Sequence, residues 1–315
     1  MPRVPLLSRC ALAAVLTLAG EAAAQPADGV ERALVEQVRA TRHEALELLE
    51  STVEINSGTL NFEGVRQVGR IFAAELEELG FVTRWVDGEP FGRAGHLVAE
   101  RTGDGPRILL IGHLDTVFER DSPFQSYEPL EDGRARGPGV TDMKGGNVVM
   151  VHALQALAAA GVLDELEIAV VLTGDEEKAG RPLALSRAAL REAAAGAAAA
   201  LGFEDGDGDP ATAVIARRGS SSWRLDVTGT PAHSSQIFQP EVGAGAIYEA
   251  ARVLHRFRER LADEADLTYN PGVVVGGTEA ALDGEEGRGS AFGKNNVVAE
   301  RAHVTGDLRA LSPEQ

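Results

Sequence analysis

Apolar residues recur along this chain with two different periods. Val30, Leu34, Val38, Ala45, Leu46 and Leu49 fall on one helical face and predict a helix over 30–50. Val65, Val68, Ile71, Phe72, Leu76 and Leu79 repeat that spacing over 63–79, and Gly80 supplies the stop. Residues 81–86 and 96–101 read as strands. Residues 107–112 read as a short apolar strand of the kind expected when both sheet faces are covered, and 166–173 as another buried strand. Between and after them lie a helix over 146–160 that stops at Gly161, an Ala-rich helix over 182–200, and a short strand at 201–203. Strands alternating with helices define an α/β domain whose sheet is parallel or mixed and flanked by helices.

The pattern changes near residue 205. Asp205-Gly206-Asp207-Gly208-Asp209-Pro210 is an acidic turn. Its alternating Asp and Gly suggest a calcium loop, but the downstream bidentate glutamate of such a loop is missing, which favours a solvated turn. Beyond Ala216 a second unit begins. Trp223, Leu225 and Val227 alternate in a strand over 221–228, a helix covers 242–261, and strands follow at 267–276 and 296–308. That order predicts a small α+β two-layer sandwich, with Gly- and Glu-rich residues 277–294 as a flexible connection. The expected domains are therefore 25–216 and 217–315. Ser312-Pro313-Glu314-Gln315 has the composition of a helix start, so the sequence reads as a chain cut short within its second domain.

With 44% hydrophobic and 25% charged residues the composition is that of a globular protein. A formal net charge of -18 argues against DNA, RNA and anionic lipid as partners. Residues 1–24 have the layout of a secretory signal: Arg3 and Arg9, an apolar stretch from Cys10 to Gly20, and Ala22-Ala23-Ala24 as cleavage site. The expectation is a periplasmic or secreted protein with no membrane association after cleavage. Cys10 is the only cysteine, so the mature chain has no disulfide, no thiolate zinc ligand and no cysteine nucleophile.

Chemistry-bearing residues gather where the apolar strands end. His113-Leu114-Asp115-Thr116 follows the strand 107–112. At that edge His113 is placed to ligate a metal, with the Asp115 carboxylate accepting from its other ring nitrogen. Asp142 lies in the Gly-rich stretch Gly137–Gly146 that leads into a helix. One carboxylate with an oxygen for each of two cations bridges them, and helix-dipole complementarity is the plainer role for an acid there. Asp175-Glu176-Glu177 follows the strand 166–173, and three adjacent acids repel unless cations lie among them. Neighbouring side chains in an extended segment point opposite ways, so one glutamate faces the metals and the other the attacking water. Glu204 follows the strand 201–203 and offers a further carboxylate, with Asp205 as the alternative.

In combination, His113-Leu-Asp-Thr-Val, Gly137-Pro-Gly-Val-Thr-Asp-Met-Lys-Gly-Gly-Asn147, Thr173-Gly-Asp-Glu-Glu-Lys178 and Phe203-Glu-Asp resemble the M20 family of zinc-dependent peptidases and deacylases, in its glutamate carboxypeptidase branch. The resemblance implies a two-metal catalytic domain carrying an inserted lid and dimerisation domain. It implies His113 and Glu204 on one zinc, Glu177 on the other, and Asp142 bridging. Cobalt and manganese are alternative ions. Glu176 becomes the general base and Asp115 the orienter of His113. In Pro231-Ala-His233-Ser-Ser235, His233 matches a histidine that reaches a partner subunit's active site, so the resemblance implies a homodimer. Asn296 and Arg309 match residues that hold the substrate carboxylate, although a surface ion pair is the plainer role for Arg309.

The implied reaction is hydrolysis of an amide bond beside a carboxylate in a small peptide or N-acyl amino acid, by a carboxypeptidase, deacylase or dipeptidase. The family's late histidine ligand has no counterpart after Arg309, and a non-catalytic metal- or peptide-binding protein is the rival reading. His43 and His255 read as exposed helix positions, His152 as a core-helix residue, His96 as the opening of a strand, and His303 as part of a strand.

Overall fold

A computed structural model describes residues 29–131, 133–209, 211–283 and 287–315. The signal expected at 1–24 lies outside the described residues. The chain divides into two compact units, the first ending at Gly208. The division falls within the acidic turn, ahead of the 216/217 boundary read from composition.

The first unit opens with α1 (Gly29–Ala40), α2 (Arg42–Val53) and α3 (Phe62–Glu78). The single helix expected over 30–50 is two helices, broken at Thr41. On α3, Val65, Val68, Phe72 and Leu76 are fully buried, and the Asn61 side chain caps the helix by accepting from the Gly64 amide.

The sheet contains β1 (Val82–Asp87), β2 (Gly95–Arg101), β3 (Arg107–His113), β6 (Glu167–Thr173) and β7 (Ala199–Gly202) in the order β1-β2-β6-β3-β7. The minor strands β4 (Glu128–Pro129) and β5 (Ala135–Arg136) pair with each other in a separate two-stranded sheet. β3 runs parallel to β6 and to β7, and β2 runs antiparallel to β1 and β6, so the sheet is mixed.

The apolar run of β6 serves two cores at once. Ile168, Val170 and Leu172 join α3 and α4 (Gly145–Ala159), which contributes Val148, Met150, Val151 and Leu154. Ala169 and Val171 point the other way, with Val98 and Leu109, against Ala189 and Ala193 of α6 (Ala188–Ala193). Period-two alternation inside an all-apolar segment is what burial on both faces requires. The Ala-rich helix expected over 182–200 is two short helices, α5 (Leu183–Ser186) and α6, and its last residues already belong to β7. An alanine run carries no periodicity to mark the break.

The second unit has β8 (Gly219–Thr228), α7 (Gly245–Leu261), β9 (Thr268–Gly277), β10 (Glu279–Asp283), β11 (Arg288–Phe292) and β12 (Arg301–Ala310). β12 is central and antiparallel to both β8 and β9. Val227, Ala302 and Val304 on the sheet pack with Ala246 and Ala250 of α7, giving the expected two-layer α+β arrangement. The stretch 277–294, expected to be a flexible connection, contains the β10–β11 hairpin. Asn296 precedes β12 rather than opening it. Residues 311–315 make a turn in which the Leu311 amide donates to Gln315 Oε1, instead of the expected helix start. Among the described residues no helix is long and apolar enough to cross a membrane.

Candidate metal centre and active site

Strand register puts the first unit's chemistry at one edge of the sheet. His113 of β3 lies opposite Thr173 of β6, and Gly202 of β7 lies opposite Ile111. The chain leaving each of these parallel strands therefore emerges together, carrying His113, Glu176 with Glu177, and Glu204. Ligand sites of open α/β sheets form at this carboxyl edge.

The loop before α4 delivers Asp142 to the same place. Gly139 takes a left-handed conformation there (φ 77°). Beyond Asp142, Met143 and Lys144 turn inward: the Met143 sulfur accepts from the His113 amide (3.2 Å), and the fully buried Lys144 ammonium donates to the carbonyls of Thr52 and Ile55 (2.8 Å each). Burial pushes the Lys144 pKa down to about 7. Asn147 in the first turn of α4 donates to the His113 carbonyl (2.6 Å). Met-Lys-Gly-Gly-Asn is thus an anchoring segment, a use that the sequence reading of this stretch did not assign.

His113 is buried, and its Nε2 sits 2.9 Å from Asp142 Oδ1 and 3.0 Å from Glu204 Oε1. Its Nδ1 lies 2.9 Å from the Asp115 backbone carbonyl, which can only accept, so the proton of a neutral ring sits on Nδ1. Nε2 then offers a bare lone pair to two carboxylate oxygens. Three electron-pair donors meeting with no proton among them fit a divalent cation. Without that cation the ring itself supplies the positive charge. Burial opposes this, but hydrogen bonds with Asp115 and Glu204 outweigh it and carry the His113 pKa up to about 11.

Among the described residues, His113, Asp142 and Glu204 form the group whose ligand atoms all lie within 4.8 Å of one another. Glu177 stands outside that group. Its pKa is nevertheless raised to about 7, first by burial and then by the charge of Asp142. A carboxylate under that pressure is suited to a second cation shared with Asp142. Partial burial also raises Glu176; the His113 charge opposes the shift, and Glu204, Asp115 and Asp142 add to it. Asp205 is not a member of the ligand group.

Asp115 differs in detail from the sequence reading. Its carbonyl makes the close contact with His113 Nδ1, while its carboxylate Oδ1 is 3.5 Å away. The carboxylate instead accepts from the amides of Glu176 (3.0 Å) and Glu177 (3.2 Å) and from the Thr59 hydroxyl (2.7 Å). Burial works against its charge, but the neighbouring His113 ring and hydrogen bonds from the Thr59 hydroxyl and the Glu176 amide hold the Asp115 pKa below its usual range. Asp175 departs further, since it is fully buried and paired with Arg187.

In the second unit, His233 is exposed, and its Nδ1 accepts from the Ser235 amide (3.2 Å) and lies 2.8 Å from the Ser235 hydroxyl. That places the proton of the neutral ring on Nε2. The Asn296 carbonyl accepts from the Ser234 amide (2.9 Å), and Val297 bridges His233, so the backbone brings these two predicted residues together. Arg309 is exposed on β12 and pairs with Asp307 (3.1 Å), the plainer of its two expected roles. Of the other histidines, His43 and His255 are exposed beside Glu47 and Glu259, and His152 is buried with Thr41 Oγ1 at 3.5 Å. His303 Nδ1 contacts Asp226, and its Nε2 lies 3.1 Å from the Ala280 carbonyl.

Residues 109–304 match the model of peptidase family M20/M25/M40. The chain is 32% identical over 256 residues to carboxypeptidase G2 of Pseudomonas sp. (strain RS-16), covering 80% of this chain and 60% of that protein. It is 31% identical over 214 residues to succinyl-diaminopimelate desuccinylase of Acidiphilium cryptum, covering 64% of this chain and 53% of that protein. The chain thus spans less than two thirds of these curated relatives. Its fold resembles that of a Staphylococcus aureus tripeptidase, with TM-score 0.63 and 23% identity over 86% of this chain and 67% of that one. It also resembles a Bacillus subtilis protein described as a dinuclear metal-binding peptidase of the M20 family, with TM-score 0.54 and 15% identity over 88% of this chain and 66% of that one. With 32% identity across four fifths of its length and a family match running through every ligand-bearing strand end, the chain belongs to peptidase family M20/M25/M40.

Proposed function

We propose that this protein is a metal-dependent hydrolase that cleaves an amide bond beside a carboxylate and releases a glutamate-like residue from a small peptide. The observation that carries the reading is His113 Nε2, which lacks a proton in the neutral ring and faces oxygens of Asp142 and Glu204. His113, Asp142 and Glu204 would hold one divalent ion, and Glu177 with Asp142 a second, zinc before cobalt or manganese. When bound, such ions supply Lewis-acid activation of a water and of the scissile carbonyl. Glu176 takes the water's proton and delivers it to the departing nitrogen, a role suited to a carboxyl whose pKa burial has raised. Asp115 holds the amides of Glu176 and Glu177 so that both acids stay at the sheet edge.

The 31% identity to a desuccinylase supports a second substrate class, N-acyl amino acids carrying a carboxylate on the acyl side. His233 presents an Nε2–H suited to an oxyanion, and Arg309 a planar fork suited to a carboxylate. Export to the periplasm or beyond is proposed from the pattern of residues 1–24, and homodimerisation through 217–315 from the family resemblance. Light scattering of the purified protein tests the dimer.

The test of function is hydrolysis of N-acyl glutamates, N-succinyl amino acids, dipeptides and tripeptides by zinc- or cobalt-loaded protein. Glu176→Gln should keep its metal while turnover falls by about 10²–10⁴-fold, the usual contribution of general acid–base catalysis. Full turnover in that variant would overturn the assignment of the base.

A further inference from the structure

Asp175 stands directly before Glu176 and Glu177, yet it faces away from them into the protein. It is fully buried. Its Oδ1 accepts from Arg187 Nη1 (2.5 Å), and its Oδ2 accepts from the Ser186 hydroxyl (2.7 Å) and the Gly180 amide (2.8 Å). Arg187 also donates to the Asp175 carbonyl (3.3 Å) and to the Ser186 hydroxyl (2.6 Å). The Gly180 contact closes the loop 175–180 upon itself, with Glu176 and Glu177 inside the closed segment.

His96 completes the same network. Its Nδ1 accepts from the Gly174 amide (3.2 Å), so its Nε2 carries the proton and donates to the Ser186 carbonyl (2.8 Å). Phe91 stacks on its ring at 5.0 Å. Further along, Arg93 donates to the carbonyls of Lys178 (2.7 Å) and Ala179 (3.3 Å). The loop has no helix or ladder of its own, and side chains hold it from two sides. Asp115 takes the amides of Glu176 and Glu177 from the metal side. Asp175 with Arg187, Ser186 and His96 holds the opposite side.

We propose that Asp175 and Arg187 are positioning residues: their buried ion pair fixes the loop so that Glu177 reaches the metal centre and Glu176 the reacting proton. The acidic triplet then divides its labour, one acid for structure and two for chemistry. This inference rests on the metal-hydrolase reading of the site. Groups that orient ligands from behind change metal affinity or activity by about 10–100-fold when removed.

The variants are Asp175→Asn, Arg187→Met, and the double change, which leaves no unpaired buried charge if either single variant fails to fold. Zinc titration of the metal-free protein by calorimetry is the first readout, and needs no substrate. The split between kcat and KM on whichever substrate the wild type hydrolyses is the second, and melting of the metal-free protein is the third. The expected result for the double variant is zinc affinity lower by about 10–100-fold and a matching loss in kcat, with KM nearly unchanged. Arg187→Lys, which keeps the charge, should recover part of both. A lower melting temperature with wild-type zinc affinity and kcat would reduce the pair to a structural role and overturn the proposal. A wild type that takes up no zinc would overturn the site reading and the proposal together. A wild type that binds zinc but cleaves none of the substrates leaves the clamp to be decided by the titration alone.

Discussion

Gly146, the second glycine of Met-Lys-Gly-Gly, makes a sharp test of how the metal centre is assembled. A Cβ placed on Gly146 would lie 1.9 Å from the Phe203 carbonyl oxygen and 3.1 Å from the Met143 side chain. Ordinary van der Waals contact begins at 3.4 Å, so in Gly146→Ala the carbonyl would have to recede by about 1.5 Å. That carbonyl is backbone and joins directly to Glu204, whose Oε1 stands 3.0 Å from His113 Nε2. Metal ligands tolerate displacements of only about 0.2 Å, so a shift several times larger at the neighbouring residue must loosen the site. The overpacking itself costs about 1–3 kcal/mol of stability. Gly202, the last residue of β7 and the neighbour of Phe203, supplies the control, because a Cβ there meets nothing within 4 Å. Calorimetric zinc titration and urea unfolding of the metal-free proteins would measure both effects. Gly146→Ala should lose about tenfold or more in zinc affinity. Gly202→Ala should stay within about 0.5 kcal/mol of wild type in stability. Equal zinc affinity in Gly146→Ala and wild type would refute the argument that close approach of α4 to the end of β7 sets the position of Glu204.

If the proposed centre is formed, removing its metal should be felt as lost stability, because Asp142, Glu177 and Glu204 would then lack a cation. Adding zinc at one hundred times its dissociation constant to the stripped protein should contribute about 2.7 kcal/mol. For a unit of this size that raises the melting temperature by roughly 5–10 °C, and an unchanged temperature in a thermal scan would count against a metal site. His96 predicts an acid limb to stability. Burial lowers its pKa below the ordinary 6.5, the charge of Asp175 opposing, so the folded protein binds fewer protons there than the unfolded chain. Its stabilising contribution is therefore complete above pH 6.5 and lost as pH falls through the folded value, at up to about 1.4 kcal/mol per pH unit. Against a His96→Gln variant, urea unfolding from pH 7.5 to 5 should show wild type losing ground on the acid side. A constant difference would mean that folding leaves the ring's affinity for protons unchanged, and would refute the prediction.

The sheet was legible in the sequence because its strands must satisfy two cores. Residues 108–112 and 168–172 carry no polar interruption, and Leu109 and Leu110 of β3 bury on opposite faces, as do Ala169 and Val170 of β6. The β10–β11 hairpin was illegible for the opposite reason. All of β11 is exposed and β10 buries only Leu282, so neither strand presents an alternating apolar face to read. The break between α1 and α2 was hidden as well. The apolar spacing in the sequence runs on across Thr41, where the structure breaks the helix in two.

The site divides along a similar line. His113, Asp142 and Glu204 could be found because each follows an element whose end is marked, by an apolar strand or by glycine. What sequence could not supply is the direction in which neighbouring side chains point. Reading Asp175-Glu176-Glu177 as three acids in need of cations counted one too many, because Arg187 already neutralises Asp175 from the turn between α5 and α6, twelve residues on. An arginine at that distance carries no local signal, and the pairing becomes visible only once the turn between α5 and α6 brings Arg187 back to Asp175. The same holds for Lys144, whose partners are backbone carbonyls at the end of α2 and therefore leave no trace in residue types. Chemistry that acts on the ligand side was written in residue identity. Chemistry that holds those residues in place was written in the fold. The Gly146 and Asp175 variants probe the second kind, since neither residue touches the metal ligands' donor atoms, yet both stand next to the backbone that carries them.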